Sequence, residues 1–177
     1  MAAEERAGSA SEARPAVPTP IGDVVASAEH RIPSGVGEFD RVLGGGLVEG
    51  SLVLLGGEPG IGKSTLLLQA AGALAAQGVP VLYACGEESP AQVRMRAERL
   101  GIGAAPGLSL LAETDVAVLV ATVEAETPRV VVVDSIQTAH DPELTGAPGS
   151  VGQVRAATTR LMRLAKDHGT VVHRVLK

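Results

Sequence analysis

The chain has 177 residues, 45% of them hydrophobic, with a mean hydropathy of +0.24, enough apolar material for one buried core and too much for global disorder. Twenty acidic against 15 basic residues leave a net charge of −5, so any nucleic-acid contact must come from a local patch and not from bulk charge. One cysteine, Cys85, excludes a disulfide framework and a four-cysteine zinc module, and only two aromatics, Phe39 and Tyr83, exclude a base-stacking platform.

Residues 1–20 are rich in Ala, Glu, Ser and Pro without periodicity and read as a disordered leader; 21–177 read as one domain. Glu4, Glu5 and Glu12 with no apolar run exclude an N-terminal signal peptide, so a soluble, cytoplasmic protein without membrane attachment is expected. Residues 21–50 are mixed and close on the turn-rich Leu43-Gly44-Gly45-Gly46-Leu47. Residues 51–55 form a short continuous apolar run, a strand expected to be covered on both faces. A glycine loop follows, then a helix from Lys63 to about Gln77. The uncharged stretch 64–86 is interrupted by Gln69, Gln77 and Gly78-Val79-Pro80, and so reads as a buried helix and a buried strand, not a membrane span.

A second strand is expected at 81–85. Pro90 suits the first turn of a helix running to Leu100 and ended by Gly101. Residues 108–112 form a third strand, and Thr114 is read as the cap of a helix over 115–126 that Pro128 stops. The fourth strand, 130–133, is entirely valine. Ser150 and Gln153 read as a capping box for a helix ending near His168, with Gly169 as its C-terminal cap and Thr170-Val171-Val172 opening a further strand. On that helix the spacing places Val151, Val154, Thr158, Leu161, Met162 and Ala165 on one face and Arg155, Arg160, Arg163 and Lys166 on the other. Apolar strands alternating with helices predict an α/β fold, a mostly parallel sheet flanked by helices.

The strongest chemical signal is Gly57-Glu58-Pro59-Gly60-Ile61-Gly62-Lys63-Ser64, which matches G-x-x-x-x-G-K-[ST] between an apolar strand and a long helix, with Thr65 next. Glycines let successive N–H groups converge on an anion, and the helix start adds partial positive charge. Lys63 reaches the β- and γ-phosphates, and the Ser64 hydroxyl suits Mg²⁺. Asp134, at the carboxyl end of the valine strand, sits where an acid can hold that Mg²⁺. Glu87 and Glu88, just past the second strand, supply a carboxylate to orient water, and spacing does not decide between them; an acidic helix start is the alternative. No N-K-x-D element is present to read guanine, and no arginine-rich lid of the kind a small-molecule kinase uses. His30, His140, His168 and His173 show no metal-ligand spacing, and Cys85 reads as a small buried strand residue.

Four segments in register carry a resemblance. Ile32-Pro33-Ser34-Gly35 with Glu38 to Gly46, the phosphate loop through Gln69, Gly86-Glu87-Glu88-Ser89, and Val133 to Thr138 with Pro148 to Arg155 are similar to the core motifs of the bacterial RadA (Sms) family, RecA-type ATPases of recombinational DNA repair. The resemblance runs from about Ile32 to Gly169. It implies a RecA-like core that binds ATP and Mg²⁺, contacts single-stranded or branched DNA, forms homo-oligomeric rings and promotes branch migration. Arg155 lies in one of the similar motifs and is the candidate DNA contact. The loop at 138–149 occupies the place of a RecA-type DNA-binding loop but carries no lysine or arginine. The family's four-cysteine zinc finger and Lon-protease-like domain have no counterpart here, so no zinc is expected. After Val172 the chain reads His173-Arg174-Val175-Leu176-Lys177, unlike the family. A fragment with impaired hydrolysis is therefore expected, the alternative being a non-hydrolysing nucleotide-binding fragment or a clock-protein-like (KaiC-like) ATPase.

Overall fold

Two pentapeptides, Val81–Cys85 and Val130–Asp134, are buried at every position, and they set the centre of the sheet. Strands of this kind need helices on both faces, because neither side can meet water. The computed structural model describes residues 17–24 and 30–176 and meets that requirement. Residues 1–16 of the expected leader lie outside the described residues.

The elements in order are β1 (Arg31–Ile32), α1 (Gly37–Val42), β2 (Leu47–Val48), β3 (Leu52–Gly56), α2 (Lys63–Ala76), β4 (Val81–Cys85), α3 (Pro90–Arg99), β5 (Leu108–Leu111), α4 (Val116–Glu126), β6 (Val130–Asp134), α5 (Val151–His168) and β7 (Val171–Leu176). A five-stranded parallel sheet runs β3-β7-β6-β4-β5, with β1 and β2 paired antiparallel beside it. Alternation along the strands divides the core. Val81, Tyr83, Cys85, Val130 and Val132 pack with α2 and α3 on one face, and Leu82, Ala84, Val131 and Val133 pack with α4 and α5 on the other.

Several sequence expectations are corrected by this packing. The strand at 51–55 is not covered on both faces: β3 lies at the edge of the sheet, and Leu54 is 45% exposed. The cap of α4 is Asp115 and not Thr114; its Oδ1 accepts from the N–H of Ala117 at 2.8 Å, while the Thr114 carbonyl accepts from His140 N–H at 2.8 Å. The apolar face of α5 is rotated from the expected one. Gln153, Ala157, Leu161, Leu164 and Ala165 are buried, whereas Val151 and Met162 face out. The small pairing of β1 with β2 was not foreseen, because each strand is two residues long and has no period to read. Gly169 caps α5 in the left-handed conformation as expected.

Residues 173–176, expected from the sequence to be unlike the family, continue β7 between β3 and β6. His173 is opposite Val53 and Val132, its ring centroid 5.6 Å from that of Phe39, and its Nδ1 has no partner. Burial lowers the His173 pKa from 6.5 to about 4. The folded state therefore resists protonation that the unfolded state accepts. Stability from this group is complete above about pH 6.5 and is lost as pH falls toward about 4. Denaturant midpoints should drop between about pH 8 and about pH 5 by the equivalent of about 2 kcal/mol, and His173→Leu should remove most of that drop. Equal pH dependence in both proteins would contradict this.

Candidate functional site

Parallel pairing brings the carboxyl ends of β3, β4 and β6 to one edge: Asp134 ends β6, Glu87 and Glu88 follow β4, and Lys63 opens the helix that follows β3. The loop from Gly57 to Gly62 leaves β3 and turns into α2. Gly60 and Gly62 have φ of +80° and +102°, torsions that a side chain would strain. Gly62 is the N-cap of α2 and no side chain caps that end, so the first-turn N–H groups, Lys63 to Thr65, have no intrahelical acceptor. Lys63 is 6% exposed and donates from Nζ to the carbonyls of Gly57 at 2.5 Å and Glu58 at 2.6 Å. Among the described residues it has no acidic partner. A buried ammonium held only by carbonyls, over uncapped amides, is built to meet an anion.

The second half of the site is where β4 and β6 end. The register pairs Cys85 with Asp134, and Gly86 N–H extends the pairing by donating to the Asp134 carbonyl at 2.9 Å. The next peptide, Asp134–Ser135, is cis. Asp134 is 8% exposed; its Oδ2 accepts from the Tyr83 hydroxyl at 2.7 Å, and its Oδ1 is buried with no partner. An orphaned carboxylate oxygen at the same edge of the sheet as an anion cradle fits a divalent cation. Burial, then the charge of Asp134, push the Tyr83 pKa far above its ordinary value, so the phenol stays a donor. Ser135 Oγ donates to Glu87 Oε1 at 2.7 Å, which ties Glu87 to the residue after Asp134. Gly86 must be glycine, since a Cβ would lie 2.1 Å from Thr138 Oγ1.

Glu88 takes a different direction. Its carboxylate forms an ion pair with Arg96 of α3, and the two line a cleft of about 240 Å³ with Gly60, Gly62, Lys63, Ser64 and Thr65. Arg96 escaped the sequence reading because only the packing of α3 beside α2 brings it to the loop. Tyr83 escaped it because its partner is on another strand. Glu58 and Pro59 shape the loop, and Ile61 is exposed on it.

Away from this edge, α5 presents Arg155 and Arg163 to solvent, whereas Arg160 is neutralised by Asp141 at 2.8 Å and Glu143 at 2.5 Å. The expected capping box is half formed. Ser150 Oγ accepts from Gln153 N–H, but the Gln153 amide turns inward. Its Oε1 accepts from Asp141 N–H at 2.7 Å, and its Nε2 faces the carbonyls of Asp141, Leu144 and Gly146. One buried side chain thus holds the loop between Asp141 and Gly146.

A family model described as the AAA domain matches residues 28–177, and so runs through 173–176. The chain is 52% identical to the DNA repair protein RadA of Bacillus subtilis over 152 residues, which are 86% of this chain and 33% of that protein. It is 49% identical to the protein of the same name from Pseudomonas aeruginosa over 152 residues, 86% of this chain and 33% of the relative. For that of Halalkalibacterium halodurans the figures are 49% over 157 residues, 89% and 34%. The chain spans about a third of the length of the curated relatives it matches. No helix among the described residues is long and apolar enough to cross a membrane.

Replacing Gln153 by Ala should orphan the buried Asp141 N–H and release the loop. A loss of about 2–3 kcal/mol in stability is expected, with faster amide exchange confined to 141–146. Exchange that rises evenly over the whole chain would count against the clamp.

Proposed function

The chain belongs to the AAA domain family, whose model covers 28–177, and from that premise we propose that it is an ATP-binding, RecA-type ATPase core acting in DNA repair. The observation that carries this reading is the buried Lys63 ammonium, held by loop carbonyls above the uncapped start of α2. The name of the RadA relatives places those proteins in DNA repair, and identity near one half supports carrying that setting over. Recombination intermediates are the proposed substrates and branch migration the proposed task.

In the proposed mechanism the loop amides of residues 57–65 cradle the phosphates, and Lys63 leaves the Gly57 and Glu58 carbonyls to pair the β- and γ-phosphates. Ser64 Oγ and Asp134 are the residues that would hold Mg²⁺. Among the described residues no three His, Cys, Asp or Glu side chains converge, so phosphate and water would have to supply the rest of its ligands. Bound Mg²⁺ supplies neutralising charge to the phosphates. Glu87, fixed by Ser135 beside Asp134, orients the attacking water and takes its proton as the bond to the departing ADP breaks. Glu88 is already committed to Arg96, which makes it the weaker candidate although it lines the cleft.

Turnover by this chain is proposed to be slow. The cations lining the cleft are Lys63 and Arg96, and Arg96 is engaged by Glu88. Without a further arginine at the γ-phosphate, a rate about 10³–10⁵ below that of a completed site follows. A neighbouring copy in a homo-oligomeric ring is the proposed source of such a group. DNA, single-stranded or branched, is assigned to the exposed Arg155 and Arg163 face of α5. A cytoplasmic setting is proposed with it.

Calorimetry and phosphate release test this directly. Lys63→Ala should abolish Mg·ATP binding or turnover. Glu87→Gln should cut the residual rate by about 10²-fold or more, and Glu88→Gln by clearly less. Equal ATP binding and turnover by the wild type and Lys63→Ala would sink the assignment, and the reverse order of the glutamates would move the water to Glu88.

A further inference from the structure

Tyr83 is the only tyrosine of a chain without tryptophan, and it is fully buried. Its place on β4 is opposite Val132 of β6, and Asp134 is two residues further along the same face. Two residues of parallel strand span about 6.6 Å, a reach that suits a phenol and no smaller side chain. The hydroxyl ends 2.7 Å from Asp134 Oδ2. Among the described residues, it is the one group bonded to that carboxylate, and Oδ1 is left buried and without a partner. Phenylalanine would fill the same volume, so packing alone does not call for the oxygen.

We propose that Tyr83 is a positioning residue for the metal-holding carboxylate. By occupying Oδ2, its hydroxyl fixes the rotamer of Asp134 and reserves Oδ1 for the cation. The inference rests on the nucleotide-site reading above and adds to it the group that orients the acid. An outer-shell donor of this kind typically accounts for a 10–100-fold share of metal affinity.

Two readouts separate this role from a structural one. ATP binding to the 177-residue chain is measured by calorimetry over a Mg²⁺ titration and in a chelator. Tyr83→Phe should bind ATP without Mg²⁺ as the wild type does, yet need about tenfold more Mg²⁺ to reach half of the metal-dependent gain. In the wild type, tyrosine emission reports this one side chain, and a hydrogen bond to a free carboxylate quenches it. Adding Mg²⁺ to the ATP complex should change that emission, and the chelator should restore it. An unchanged Mg²⁺ requirement in Tyr83→Phe overturns the proposal, as does an equal loss of ATP binding with and without metal. If the variant does not fold, wild-type emission decides: insensitivity to Mg²⁺ in the ATP complex overturns it. A wild type that binds no ATP at all removes the nucleotide reading itself, a result distinct from these.

Discussion

The register between β4 and β6 is the constraint from which the site is built. Val81 pairs with Val130 and Cys85 with Asp134, so both strands end on the same rung. Each is buried at every residue, and a slip by one position would turn valines from one helix layer to the other. The apolar core therefore fixes the height at which Asp134, Ser135, Gly86 and Glu87 emerge. Beyond that rung the chain is polar, and its groups pair with one another: Gly86 N–H with the Asp134 carbonyl, Ser135 Oγ with Glu87, Thr138 Oγ1 with the Ser135 carbonyl. The candidate site is the place where the core's apolar packing gives way to hydrogen bonding.

Charge is distributed over that edge in a deliberate order. Lys63 is buried with carbonyl partners alone, and Asp134 is buried with one oxygen unpartnered. Such groups are costly to fold and are tolerated where a ligand completes them. The exposed charges behave differently. Glu38 with Arg41 and Arg94 with Glu98 are solvent-facing pairs within single helices, which contribute little. The Glu88–Arg96 pair stands between these cases, partly buried and on the wall of the cleft.

Much of this was legible in the sequence, for a reason that differs from element to element. The glycine loop is local chemistry: glycine torsions, a lysine and a hydroxyl at a fixed spacing announce themselves without tertiary context. The runs 81–85 and 130–133 were legible because apolar continuity has few other meanings. What escaped depended on contacts between distant segments. The edge position of β3 follows from strand order, which no single strand encodes. Gln153 looks like a capping residue until the loop at 141–146 closes over it. Tyr83 and Arg96 become part of the site only through a neighbouring strand and a neighbouring helix. The apolar face of α5 was misplaced because valine and methionine were weighed by hydrophobicity, while a buried glutamine marked the true inner face.

Crystals of the chain grown with Mg²⁺ and a non-hydrolysable ATP analogue test most directly whether the glycine loop and the end of β6 form one Mg·nucleotide site. Phosphates are expected against the amides of residues 57–65, with Lys63 moved off the Gly57 and Glu58 carbonyls. A cation is expected between Ser64 Oγ and the Asp134 side that Tyr83 leaves open. A nucleotide seated elsewhere, or a phosphate-bound loop whose cation makes no approach to Ser64 or Asp134, would contradict a single shared site.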